Sequence, residues 1–178
     1  MPSKRDQDAF GHRAKREGYP ARSVYKLEEI DKRVRLFRRG QRVLDLGAAP
    51  GSWTLYAAQR VGAEGKVVAI DLNPIEINLP ANVRAIVGDI NAIDTEAMEP
   101  FGDFDLVISD LAPHTSGQRH ADQFHSYELF MLALTAAEKH LVAGGHFVAK
   151  IFQGPEFETG RKAMRGKFDK VRLIKPEA

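Results

Sequence analysis

Three stretches of this chain carry side chains that could act together: SDLAPHTSG over 109–117, AKIFQG over 149–154 and SVYKL over 23–27. Asp110 follows the apolar run FDLVIS, and Lys150 follows HFVA. Both are expected where a buried strand ends. A lysine there is costly unless it is paired or has a task. Asp110 and Lys150 are therefore candidates for a functional pair facing a cleft, and Lys26 lies beside apolar neighbours on the first helix. The plainer readings are a structural Lys150–Asp110 ion pair and a solvated helix lysine at position 26. Other chemistries lack their residues. The chain has no cysteine, which removes disulfides, Cys–zinc sites and thiol nucleophiles. Its six histidines show neither H-x-x-x-H nor H-E-x-x-H spacing, so no metal is expected. No G-x-S-x-G elbow surrounds Ser109 or Ser116, which argues against a hydrolase triad.

A second constellation begins at DLGAAPGSW over 45–53. Gly47 and Gly51 let backbone approach a ligand, and the helix that follows offers free N–H groups. The loop is not a G-x-G-x-x-G fingerprint. Ala48 and Ala49 carry Cβ atoms where a pyrophosphate needs bare backbone, and Pro50 removes a donor. Asp71 ends the next apolar run, where a carboxylate can accept both ribose hydroxyls of a nucleoside. Asp89 ends the one after and could accept from an adenine amino group. Each Asp taken alone is also a plausible helix cap or turn residue, and Trp53 is also readable as core. S-adenosylmethionine (AdoMet), a nucleoside with a zwitterion and no phosphate, fits this loop and these acids in this order.

Apolar periodicity supplies the elements that must position these residues. Ser23 is expected to cap a helix over 24–38 that Gly40 ends. Strands are expected at 42–47, 66–71, 83–89, 104–110 and 146–152, with a sixth at 170–175. Helices are expected from Gly51, over 121–142 up to Gly144-Gly145, and over 156–166. Short apolar runs alternating with helices mean an α/β fold with a largely parallel sheet covered on both faces. Ligands in such sheets bind beyond the carboxyl ends of the strands, where Asp71, Asp89, Asp110 and Lys150 are expected.

Net charge is only +2, but it is unevenly distributed. Residues 1–42 hold 13 Lys/Arg against 6 Asp/Glu, residues 43–149 hold 5 against 14, and residues 150–178 hold 8 against 4. Two basic ends flanking an acidic middle point to a polyanion partner. Residues 1–20 read as a basic mobile arm, and 21–178 as one domain. No apolar stretch is long enough to span a membrane and no signal-peptide pattern opens the chain, so a cytoplasmic protein is expected. Near the arm, Tyr19 and Tyr25 are the candidates for stacking on bases.

The motifs RSVYKLEEID, VLDLGAAPGSW, DLVISDLAP-x-x-SG, GGHFVAKIFQG and VRLIKP occur in order from Arg22 to the end of the chain. Together they resemble the FtsJ/RrmJ (RlmE) group of AdoMet-dependent ribosomal RNA 2′-O-ribose methyltransferases. The resemblance implies a Rossmann-like class I methyltransferase fold. It implies AdoMet contacts at Gly51, Trp53, Asp71, Asp89 and Asp110. It also implies a catalytic Lys-Asp-Lys-Glu set whose first three members match Lys26, Asp110 and Lys150. The expected substrate is a uridine of 23S ribosomal RNA in the large subunit, modified by a monomeric enzyme. His114 stands where bacterial members have Asn. Glu177 lies too close to Pro176 to be the fourth catalytic member, so that Glu is expected beyond Ala178, on a further strand beside the sixth. The same composition also admits a tRNA or cap 2′-O-methyltransferase, a non-catalytic RNA-binding protein or a nicotinamide-dependent oxidoreductase. The missing dinucleotide fingerprint counts against the last.

Overall fold

Five apolar runs become five strands: β1 (Arg42–Leu46), β2 (Lys66–Asp71), β3 (Val83–Val87), β4 (Phe104–Ser109) and β5 (Leu141–Ala149). The computed structural model describes residues 4–92 and 98–178, with side chains over 9–92 and 98–178. All strand pairs are parallel, in the order β3-β2-β1-β4-β5. The chain winds outward from β1 to β3, then returns to place β4 on the other side of β1. That reversal opens a crevice at the carboxyl ends of β1 and β4.

Strand periodicity divides the core. Val43 and Val67 face a cluster with Leu27, Phe37, Trp53 and Val61. Leu44, Leu46, Val68 and Ile70 face the opposite cluster, with Phe130, Leu134 and Phe147. Helices α2 (Val24–Val34) and α3 (Ser52–Val61) cover the first face. Helices α4 (Arg119–His140) and α5 (Phe157–Arg165) cover the second. Both faces are therefore layered as expected, although β3, at the edge of the sheet, is largely exposed.

Several boundaries differ from the sequence reading. Residues 4–16 form a helix, α1 (Lys4–Arg16), where an irregular arm is expected. Its Ala14 is buried in the first core cluster, with Phe10 packed against it. The Glu17 carboxylate accepts from Tyr25 Oη and Arg13 Nε, both at 2.8 Å, tying the end of α1 to α2. Helix α2 stops at Val34 rather than 38. Arg35 turns left-handed at φ 52°, and the buried Asp31 accepts the Phe37 N–H at 3.0 Å, so Leu36 and Phe37 reach the core from a reversed turn. Ser23 occupies the N-cap position, but its side chain makes no capping bond. Gly144 and Gly145 do not end a helix. Strand β5 starts at Leu141, and the glycines lie in a bulge between the Phe104–Leu141 and Leu106–His146 pairs. Residues 170–175 form no strand: the alternating pattern is present, but among the described residues no ladder partner meets it. Ile174 packs on the first core cluster instead, and Glu177 N donates to Glu29 at 2.8 Å.

Asp31 is 3% exposed and also accepts from Tyr56 Oη at 2.9 Å and Arg60 Nε at 3.0 Å. Asp31→Ala leaves the Phe37 amide and Tyr56 hydroxyl without an acceptor. It is expected to lower stability by about 3 kcal/mol in urea unfolding; a loss within experimental error would show that the α2 turn does not need this carboxylate.

Candidate active site

Parallel register places Ser109 opposite Ala149, so Asp110 and Lys150 leave the sheet side by side. The Lys150 amide continues the ladder to Ser109 O at 3.0 Å. Lys150 Nζ donates to Asp110 Oδ1 at 2.8 Å and to the Asp110 carbonyl at 3.2 Å. The two side chains are 24% and 19% exposed, so the pair is shielded yet reachable from solvent. Two of the amine's tetrahedral directions are held by Asp110, which leaves one for a lone pair or a third N–H toward a substrate hydroxyl.

Lys26, on α2, joins this pair electrostatically. Burial pushes its ammonium below the ordinary lysine value; Asp110 acts against that, while Lys150 and Arg22 lower it further. The fold thus gathers Lys26, Asp110 and Lys150 from α2, β4 and β5, and Lys26 is half-buried rather than a solvated helix lysine.

The glycine loop lies on the other side of the crevice. Gly47 N and Ala48 N donate to Ile70 O at 2.8 and 3.1 Å, which folds the loop over the end of β2. Gly47 has φ 74°, and a Cβ there would lie 2.4 Å from Leu111 Cδ2. Gly51 has φ 109° and precedes α3; a Cβ would lie 2.9 Å from both Ile75 and Ile77. Neither position admits another residue without rearrangement. The Asp71 carboxylate accepts from Ala49 N at 3.0 Å and Asn73 N at 2.8 Å, so it braces this loop while facing the crevice. Asp89 is exposed and accepts from Asn91 N at 2.9 Å, in a turn of its own. The Trp53 side chain is core, with its indole N–H donated to Ser23 O at 2.9 Å.

Two features escape the sequence reading. Tyr25 is buried beneath α1, and Tyr19 Oη donates to Gln59 Oε1 at 2.9 Å, so neither is a free stacking surface. Asp45, next to the last residue of β1, is 1% exposed. Thr54 Oγ1 donates to its Oδ2 at 2.7 Å, while Oδ1 has no partner. Burial pushes this carboxyl up to about 7, against the Thr54 hydrogen bond and with help from Asp110 and Asp71. A lone acid inside the apolar strand RVLDL is the signal that could have found it.

The folded chain keeps the Asp45 proton up to about pH 7, while the unfolded chain loses it near the ordinary value of 3.8. Stability must therefore fall as pH rises through that window and level off above it. Asp45→Asn does not titrate, so its stability relative to the natural chain is expected to improve between about pH 4 and about pH 8. Urea unfolding at both ends of the range checks this; a constant gap would mean that Asp45 is already ionised in the fold.

Residues 19–178 match the FtsJ-like methyltransferase family. A ribosomal RNA large subunit methyltransferase E of Sorangium cellulosum is 55% identical over 170 residues, covering 96% of this chain and 80% of that protein. The protein of the same name from Nitratidesulfovibrio vulgaris is 47% identical over 175 residues, covering 97% and 87%. A Plasmodium falciparum protein described as a ribosomal RNA methyltransferase has a crystal structure that superposes with a TM-score of 0.79, at 27% identity, over 89% of this chain and 92% of that one. The Rossmann-like sheet, the crevice at its switch point and a match running from Tyr19 to the last residue lead to one assignment: the chain belongs to the FtsJ-like methyltransferase family.

Proposed function

We propose that this methyltransferase uses AdoMet to methylate the 2′-hydroxyl of a uridine ribose in 23S ribosomal RNA of the large subunit, in the cytoplasm. The observation that carries the reading is the Lys150–Asp110 pair, set at the sheet edge across the crevice from the glycine loop. The large-subunit target follows from the names of the relatives, which cover most of this chain.

The residues present fit AdoMet. Gly47 and Gly51 hold the loop in left-handed turns packed against Leu111, Ile75 and Ile77, so backbone alone sets its shape. Asp71 stands beside it with a carboxylate suited to ribose hydroxyls. Gly51, Asp71, Asp89 and Asp110 would hold the nucleoside and methionine parts, with Trp53 fixing the start of α3 from beneath. When bound, AdoMet supplies a methyl group activated by its sulfonium.

The chain's own residues then have three tasks. The crevice places the hydroxyl in line with the donor, which is worth about 7–11 kcal/mol when well aligned. Lys150, oriented by its two bonds to Asp110, accepts the hydroxyl proton along its remaining direction as the new C–O bond forms. Lys26 adds a half-buried second cation beside the pair, its own ammonium pushed down mainly by burial. The RNA backbone is held by exposed cations of α1, α2 and the following turn, among them Lys15, Arg16, Arg33, Arg38 and Arg39.

Lys150→Ala is expected to slow single-turnover methylation of large-subunit RNA by at least about a hundredfold. AdoMet affinity from calorimetry and the thermal melt should stay nearly unchanged. Near-normal turnover would remove Lys150 from the mechanism. A purely structural lysine would instead cost roughly 3–5 kcal/mol of stability by stranding Asp110.

Lys15→Ala combined with Arg16→Ala should weaken RNA binding and flatten its salt dependence. The slope of log K against log salt should fall by about 0.7–0.9 for each phosphate that is no longer neutralised. Binding titrations over a range of salt measure this, and an unchanged slope would place the RNA elsewhere.

A further inference from the structure

The first turns of α4 hold both chain segments that leave the catalytic pair. On one side, Ser116 N and Ser116 Oγ both donate to Asp122 Oδ1 at 2.8 Å. These bonds tie down the loop that begins at Asp110, most of which is exposed. The same loop carries Leu111, whose side chain covers Gly47. On the other side, Phe152 N donates to Ser126 Oγ at 2.9 Å, and Gln123 Nε2 donates to Gln153 O at 2.6 Å. Gly154 lies so close to Gln123 that a Cβ there would come within 2.8 Å of its side chain.

Asp122, Gln123 and Ser126 are all buried, and Ser126 is 0% exposed. A helix interior gains little from a buried Ser, Gln and Asp, whose polar atoms are costly out of water unless bonded. Here each has a bond, and each of these bonds reaches across to a loop rather than along the helix. Asp122 and Ser126 are one helical turn apart, so a single rigid body sets the spacing of the two segments they hold.

We propose that Asp122 and Ser126, with Gln123, are positioning residues that fix how far apart the chain exits after Asp110 and Lys150 stand, and so how the target ribose meets Lys150. The proposal rests on the ribose-methylation reading above. It adds that the alignment of the pair is held from α4, outside every motif that supplies the reacting groups.

The test uses the full chain with Asp122→Ala, Ser126→Ala and the conservative Asp122→Asn, which keeps an acceptor oxygen. With large-subunit RNA and AdoMet saturating, both alanine variants are expected to lower the single-turnover rate by about tenfold or more, the scale that small misplacements produce. AdoMet affinity should stay within about twofold, and Asp122→Asn should recover most of the rate. Rates near the natural value in both alanine variants would overturn the proposal. So would a loss explained wholly by weaker AdoMet binding, or by a smaller folded fraction of full specific activity.

A second readout needs no RNA. Acetic anhydride labelling of Lys150, followed by mass spectrometry, reports how firmly Asp110 holds the amine. Labelling is expected to be roughly fivefold faster in the folded alanine variants than in the natural chain, as local opening becomes easier. Unchanged labelling overturns the positioning role even if the natural chain proves inactive on this RNA, an outcome that would by itself sink only the substrate reading.

Discussion

Strands β4 and β5 run parallel with Ser109 opposite Ala149, and this register brings a lysine and an aspartate together at the rim of the sheet. A shift of one residue in either strand would turn one partner toward the opposite face. The pair is half-buried, so the attraction of its charges is largely offset by the cost of taking them out of water. Asp110 fixes an amine that solvent can still reach. The other parts of the fold serve this edge. Strand β1 beside β4 brings the glycine loop to the same rim, α2 supplies Lys26 from one face, and α4 grips the exits from the other.

The strands and their ends were legible because buried parallel strands are short apolar runs with little else they could be. FDLVIS, KVVAID and RVLDL each became a strand, so Asp110 and Asp71 could be placed at the carboxyl edge from sequence alone. Elements whose limits depend on distant partners were harder to read. Helix α1 is polar enough to pass for a tail, and its docking depends on Glu17, Arg13 and Tyr25 meeting across two helices. Helix α2 keeps its apolar spacing up to Phe37, yet a buried carboxylate reverses the chain three residues earlier. The alternation in 170–175 is that of a strand, but a strand exists only where a neighbour completes its ladder.

The site shows the same division. Asp110 and Lys150 could be placed at neighbouring strand ends from their types and positions, Lys26 entered through the family resemblance, and the fold sets the three near one another. What sequence could not show was what each candidate ligand residue already touches. Asp71 braces the glycine loop through Ala49, Asp89 closes a turn through Asn91, and Trp53 points its ring into the core. Asp45 was hidden by its context, since an acid inside an apolar strand reads as an exception until the missing partner of its Oδ1 is seen. Glu17 hid the burial of Tyr25 in the same way, because its hydroxyl needs an acceptor that lies just past the end of another helix.

The bulge in β5 bears on how this fold tolerates variation in length. Between the paired residues of β4 lies Asp105 alone, whereas Val142 to Gly145 lie between their partners in β5. Gly144 has φ 79° and open space around it, while Gly145 fits closely under Leu141 and the Asp105 carbonyl. The slack therefore sits at one point, upstream of His146, where pairing resumes and runs on to Ala149. Residues added or removed at the end of α4 can be taken up there without moving Lys150 by a single step. Across lineages, insertions and deletions should gather at this point and stay away from the four residues that follow it, because a change there would alter which way the lysine faces.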